Sequence, residues 1–261
     1  MNKLYILFQG FGQTINDWNK KPTNFLSKLK QKGKVFIYQN KWIEQPKLCL
    51  GSTIQEVHST SWIDQQNDYP LSYLTMDGFI KDVYVNLMKK IPNAHSFTWI
   101  PIGESFGGCF ALTFSIFFNK QCSCCVLLDN APYFTLKSNK YRIKMTEAMM
   151  GNKFKNLTEI QFQKIKQTNP DYLLDYGVIS FAKYIQKNII GKPFPVKILG
   201  FYDIAFPDIY EKEWKMNYNT WKLGEIDELQ KLNNFHYYLF VNAGHMIYLD
   251  KNAVISILEK I

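Results

Sequence analysis

The 261-residue sequence carries a single arginine, Arg142, among its 31 basic residues. That scarcity bears on the formal net charge of +9, which would otherwise suggest a nucleic-acid partner. Bidentate recognition of phosphates and guanines favours the guanidinium fork, and here almost all positive charge is scattered lysine. The charge therefore reads as solubility, and no nucleic-acid partner is expected. Long apolar runs are also missing. The longest, Cys109 to Phe118, falls well short of the ~20 residues of a membrane-spanning helix. The opening "MNKLYILFQGFG" lacks the apolar length and the small-residue cleavage site of a secretory signal, so the expected location is cytoplasmic. Cysteine is sparse and odd in number: Cys49, Cys109, Cys122, Cys124 and Cys125. The "CSCC" cluster runs straight into the apolar "VLL", which makes it the start of a buried strand rather than a metal site. Internal repeats and low-complexity segments are absent. No G-x-G-x-x-G with a later acidic residue is present, which removes a dinucleotide reading.

What remains is an alternation of short apolar runs and amphipathic stretches. Strands are expected at 3–9, 34–40, 97–102, 122–128, 195–203 and 236–244, each closing on a glycine, asparagine, aspartate or proline break. Between them, "DWNKKPTNFLSKLKQKG" reads as a helix with Phe25, Leu26 and Leu29 on one face. Residues 76–93 place Phe79, Ile80, Val83, Leu87 and Met88 at helical spacing. Helices are also expected at 106–118, within 220–233 and at the end of the chain. Residues 41–73 have no clear period and read as a long loop. Strands alternating with helices imply an α/β fold with a mostly parallel, doubly wound sheet covered on both faces. Residues 133–193, rich in lysine and methionine and helical in pattern, interrupt that alternation as an insertion.

The segment "FTWIPIGESFGGCFALTFSIFF" holds the chemistry. Gly103-x-Ser105-x-Gly107 lies between a predicted strand and a predicted helix, the setting of a serine on a sharp, strained turn. Such a turn needs residues without bulky side chains two before and two after the serine. It lifts the hydroxyl above the strand's end and points the amide of Phe106 into the same space. A serine hydroxyl needs a base. His58 falls in the long loop, His95 at a helix end and His236 at a strand start. His245 stands apart, on a loop after "YYLFVNAG" and before the closing helix, beyond the carboxyl edge of the sheet. The base needs an orienting acid, and Asp203 at the end of "PVKILGFYD" is the first choice. Asp208 lies close behind it, and Asp129, ending "VLLD", is the other candidate. Oxyanion donors would be the amides of Phe106 and of Phe11, which sits between Gly10 and Gly12 after the first strand.

Together these segments resemble the α/β-hydrolase superfamily. "GESFGG" is similar to its nucleophile elbow, "GFYDIAFP" to its acid-bearing turn, "NAGHMIYLDK" to its histidine loop and "QGFGQTINDW" to its oxyanion segment, with Gln9 where the family usually has histidine. The order Ser105, Asp203, His245 is the family's order, although its first two strands have no counterpart in the sequence. The resemblance implies core segments at 1–132 and 194–261 and a helical cap at 133–193. It implies a serine hydrolase that cleaves a carboxylic ester, in the manner of an esterase or monoacylglycerol lipase, with neither cofactor nor metal. Thioesterase, acyltransferase or peptidase chemistry would use the same residues, and a binding protein could retain the fold without turnover. An apolar acyl substrate would suit a cap lined by Met145, Met149, Met150, Phe154, Phe162 and Tyr172, residues that ordinary helix packing explains equally well. A membrane-surface role, with lysines meeting anionic lipid, is a further alternative.

Overall fold

The computed structural model describes residues 2–10, 14–38, 76–105, 107–130, 194–204, 218–230 and 233–261. The expected cap at 133–193 and the expected loop at 41–73 lie outside them. Among the described residues six strands form one sheet: β1 Lys3–Phe8, β2 Lys34–Tyr38, β3 Thr98–Glu104, β4 Cys124–Leu128, β5 Lys197–Asp203 and β6 Phe235–Phe240. Their spatial order is β2-β1-β3-β4-β5-β6 and every adjacent pair is parallel. The α-helices among the described residues are α1 Phe25–Lys32, α2 Met76–Lys90, α3 Gly107–Phe117, α4 Tyr218–Gln230 and α5 Lys251–Lys260. Among the described residues no helix is long and apolar enough to cross a membrane.

Strands β1, β3, β4 and β5 read as apolar runs because both their faces are covered, whereas β6 leaves His236, Tyr237 and Leu239 exposed. Along β1, Leu4, Ile6 and Phe8 face the core layer that also holds residues of α2, α3 and α4, with Phe8 against Phe110 and Phe114 of α3, whereas Tyr5 and Leu7 join the layer of Phe25, Leu26 and Leu29 of α1 and Ala253, Val254 and Ile257 of α5. Helix α3 is buried on all sides from Gly107 to Ile116, which is why its sequence lacks an amphipathic period. Its two hydroxyls turn back on the helix: Thr113 donates to the Cys109 carbonyl at 2.8 Å and Ser115 to that of Ala111 at 2.7 Å.

Two expectations shift. The helix anticipated from Asp17 to Gly33 is divided into a short 3-10 turn, Ile15–Asn19, and α1. Pro22 supplies no amide hydrogen between them, and Asn24 is left-handed at φ 49°. The last strand ends at Phe240 rather than 244, because Asn242 and Gly244 both have positive φ, 63° and 81°, and lead the chain off the sheet. Cys109, Cys124 and Cys125 are buried, and burial pushes the Cys122 thiol up to about 12, reinforced by Cys124. They behave as core residues.

Candidate active site

Ser105 directly follows β3 with φ 49°, a left-handed conformation that costs a non-glycine residue on the order of 1–3 kcal/mol. Surrounding structure holds it there. The Ser105 amide donates to the Leu128 carbonyl at 2.9 Å, and its carbonyl accepts from the Gly108 amide at 3.1 Å. The turn closes only because its flanks lack side chains. A Cβ on Gly103 would lie 2.2 Å from the Gly107 carbonyl oxygen, and one on Gly107 would lie 2.2 Å from that of Phe8. The elbow is thus pressed between its own helix and β1. Gly10 is buried at the end of β1. Phe11, Gly12 and Phe106, which carry the expected oxyanion donors and part of their support, lie outside the described residues.

The loop after β6 brings His245 to Ser105. Its Nε2 is 2.8 Å from Ser105 Oγ, and its Nδ1 is 2.7 Å from Asp129 Oδ2. A carboxylate can only accept, so Nδ1 carries the proton and donates to Asp129, while Nε2 accepts from the serine hydroxyl. The imidazole is about one-third exposed (34%) and Asp129 is fully buried, so the chain of bonds runs from the solvent margin inward.

Asp203 does not meet the histidine as expected; this is the one correction to the proposed acid. Asp129 directly follows β4, the strand next to β3, and already occupies Nδ1. Asp203, one strand farther out, is buried and turns Oδ2 to the amide of Gly244, which donates to it at 2.6 Å. It therefore grips the histidine loop one residue before the ring. Asp208 and His58 lie outside the described residues. His95 pairs with the Tyr84 hydroxyl at 3.0 Å and stacks on Trp99, and His236 sits exposed on β6.

Two charged residues join the site that the sequence reading did not assign to it. Glu104, fully buried, places Oε1 3.7 Å from His245 Nε2. Its only signal is a charge wedged between an apolar strand and the serine. Lys222 of α4, 1% exposed, donates to Asp129 Oδ1 at 2.6 Å and to the Asp203 carbonyl at 2.7 Å. Nothing marks it among so many lysines. Burial lowers the basicity of His245, but the hydrogen bond to Asp129 and the charges of Glu104 and Asp129 raise it, against a smaller lowering by Lys222. The net shift is upward.

No protein-family model and no curated protein sequence matches this chain. Solved structures do. MenH from S. aureus superposes with a TM-score of 0.55 at 14% identity, covering 99% of this chain and 92% of its own. A lipase-esterase related protein from Clostridium acetobutylicum gives 0.54 at 14% identity, covering 99% and 94%. A thermophilic esterase from Thermogutta terrifontis gives 0.54 at 12% identity, covering 100% and 89%. At such identities the likeness is one of fold.

Proposed function

The scaffold shared with these proteins is the α/β-hydrolase fold, and on that premise we propose that the chain is a serine hydrolase of carboxylic esters. The observation that carries this reading is the unbroken chain Ser105 Oγ, His245, Asp129 at 2.8 and 2.7 Å. A buried acid, an imidazole of defined tautomer and a hydroxyl on a strained turn form a proton path of the kind needed for acyl transfer.

In this mechanism His245 Nε2 takes the hydroxyl proton as Ser105 Oγ bonds to the ester carbonyl carbon. The amides of Phe106 and Phe11 hold the oxyanion. Collapse of the intermediate breaks the carbon–oxygen bond to the alcohol, which leaves with the proton from Nε2. Water then attacks the acyl-serine, gives a proton to Nε2 and releases the carboxylic acid, and that proton returns to Ser105. Asp129 keeps the ring oriented and stabilises its cationic form throughout. The buried Glu104 carboxylate, beside Nε2, favours the same cation. Apolar acyl groups are the proposed substrates.

A fluorophosphonate probe tests the reading. The parent protein is expected to label, and Ser105→Ala and His245→Ala to lose labelling while remaining folded. A folded parent that never labels, and that hydrolyses none of a series of nitrophenyl esters of increasing acyl length, would count for a binding protein instead.

A further inference from the structure

We propose that Lys222 is a positioning residue of this site: by bridging Asp129 Oδ1 to the backbone carbonyl of Asp203, it turns Asp129 Oδ2 onto His245 and selects Asp129, rather than Asp203, as the acid that holds the ring. The proposal rests on the reading of Ser105 and His245 as nucleophile and base, and it concerns a residue that mechanism does not itself require.

The geometry supports a dedicated role. Asp129 is fully buried, and a carboxylate there is costly unless its oxygens are occupied. Oδ1 takes two donors, Lys222 Nζ at 2.6 Å and the Asp203 amide at 3.0 Å. With that oxygen held from both sides, the rotation of the carboxylate is set and Oδ2 is left for the imidazole at 2.7 Å. The lysine is anchored in turn by the Asp203 carbonyl at 2.7 Å. Asp203 is tied separately, its Oδ2 accepting from Gly244. Two buried carboxylates, one buried ammonium and the histidine loop therefore form a single hydrogen-bonded assembly in which each carboxylate has a different task. A lysine at 1% exposure gives up most of its hydration, and two short hydrogen bonds within this assembly offset that loss.

A charge effect accompanies the positional one. The ring is approached by Glu104 from β3, Asp129 from β4, Asp203 from β5 through the Gly244 amide, and Lys222 from α4. Lys222 is the cation of this set. It offsets part of the carboxylate field and keeps the imidazole available as a base nearer neutrality than the anions alone would allow.

The test compares Lys222→Met and Lys222→Arg with the parent, using two readouts. One is the titration of the His245 ring by 15N-resolved NMR, its signals identified by their loss in His245→Ala. The other is the pH dependence of the rate of fluorophosphonate inactivation. Lys222→Met is expected to raise the titration of His245, and with it the acid limb of inactivation, by about one pH unit. Its kcat for a nitrophenyl ester should fall with little change in KM. Lys222→Arg, which keeps the charge, should return the titration to the parent's value. A folded Lys222→Met whose ring and acid limb do not move overturns the proposal. If Lys222→Met does not fold, the pair Asp129→Asn/Lys222→Met decides. Folding recovered by removing both charges supports the lysine as partner of Asp129, and failure of the pair to fold overturns it. Should the parent not label at all, the hydrolase reading falls, while the ring titration still decides the role of Lys222.

Discussion

Asp129 and Asp203 are both buried aspartates at the carboxyl ends of adjacent strands, yet they meet different partners. One accepts from an imidazole and the other from a backbone amide. Asparagine at each position separates the roles. In Asp129→Asn an amide would face Nδ1, favouring the wrong ring tautomer and lowering kcat by roughly 10⁴-fold. Its side chain also loses the charge that favours the imidazolium, so any residual activity should show its acid limb at lower pH than the parent, opposite in direction to Lys222→Met. The parent's own limb should lie above the ordinary imidazole value of 6.5, since the ring is shifted upward. Asp203→Asn keeps an oxygen able to accept from Gly244 and should retain turnover within about tenfold, the loss of one charge-assisted bond being its main effect. Equal losses in the two variants would refute the division of labour. The sequence named both residues but ranked them in the other order. Each is an aspartate at the end of an apolar strand, and only the rotation of two carboxylates in space separates them. Lys222 was illegible for the same reason: it lies 93 residues from Asp129, in a helix whose local sequence carries no sign of the contact.

At the scale of elements, the strand–turn–helix unit of β3, Ser105 and α3 was legible because steric demand leaves a local trace. The glycines at 103 and 107 are where a side chain would meet a backbone carbonyl at 2.2 Å. A backbone atom cannot move aside as a flexible side chain can. Gly107→Ala should therefore force α3 away from β1 and cost on the order of 1–3 kcal/mol or more, read as a lowered denaturant midpoint. Ester hydrolysis should fall with it, as the serine loses its seat. A variant with the parent's midpoint and activity would show that the elbow has slack the structure does not suggest. Boundaries were less legible than elements. The apolar pattern ran past Phe240, but Asn242 and Gly244 take up positive φ and end the strand. The loop that follows is tied to Asp203 through the Gly244 amide, a contact with a distant strand that leaves no local trace.

Across the whole molecule, the parallel sheet and its two coverings could be expected from the apolar runs of β1, β3, β4 and β5, because a strand buried on both faces asks for little polarity anywhere along it. What such a pattern cannot reveal is how the chain's distant parts divide the site. Ser105 stands at the middle of the sheet, after β3, whereas His245 arrives from β6, which among the described residues pairs with β5 alone. Marginal strands open before central ones. In a urea titration, esterase activity and fluorophosphonate labelling should disappear at lower denaturant than the far-ultraviolet circular dichroism of the sheet. Coincident curves would mean that β6 is secured as firmly as the strands inside it.

That placement makes β6 a gauge. On the proposed reading, with Ser105 seated after β3 and His245 carried in from β6, peeling back that single ribbon should silence the protein while the remainder stays folded.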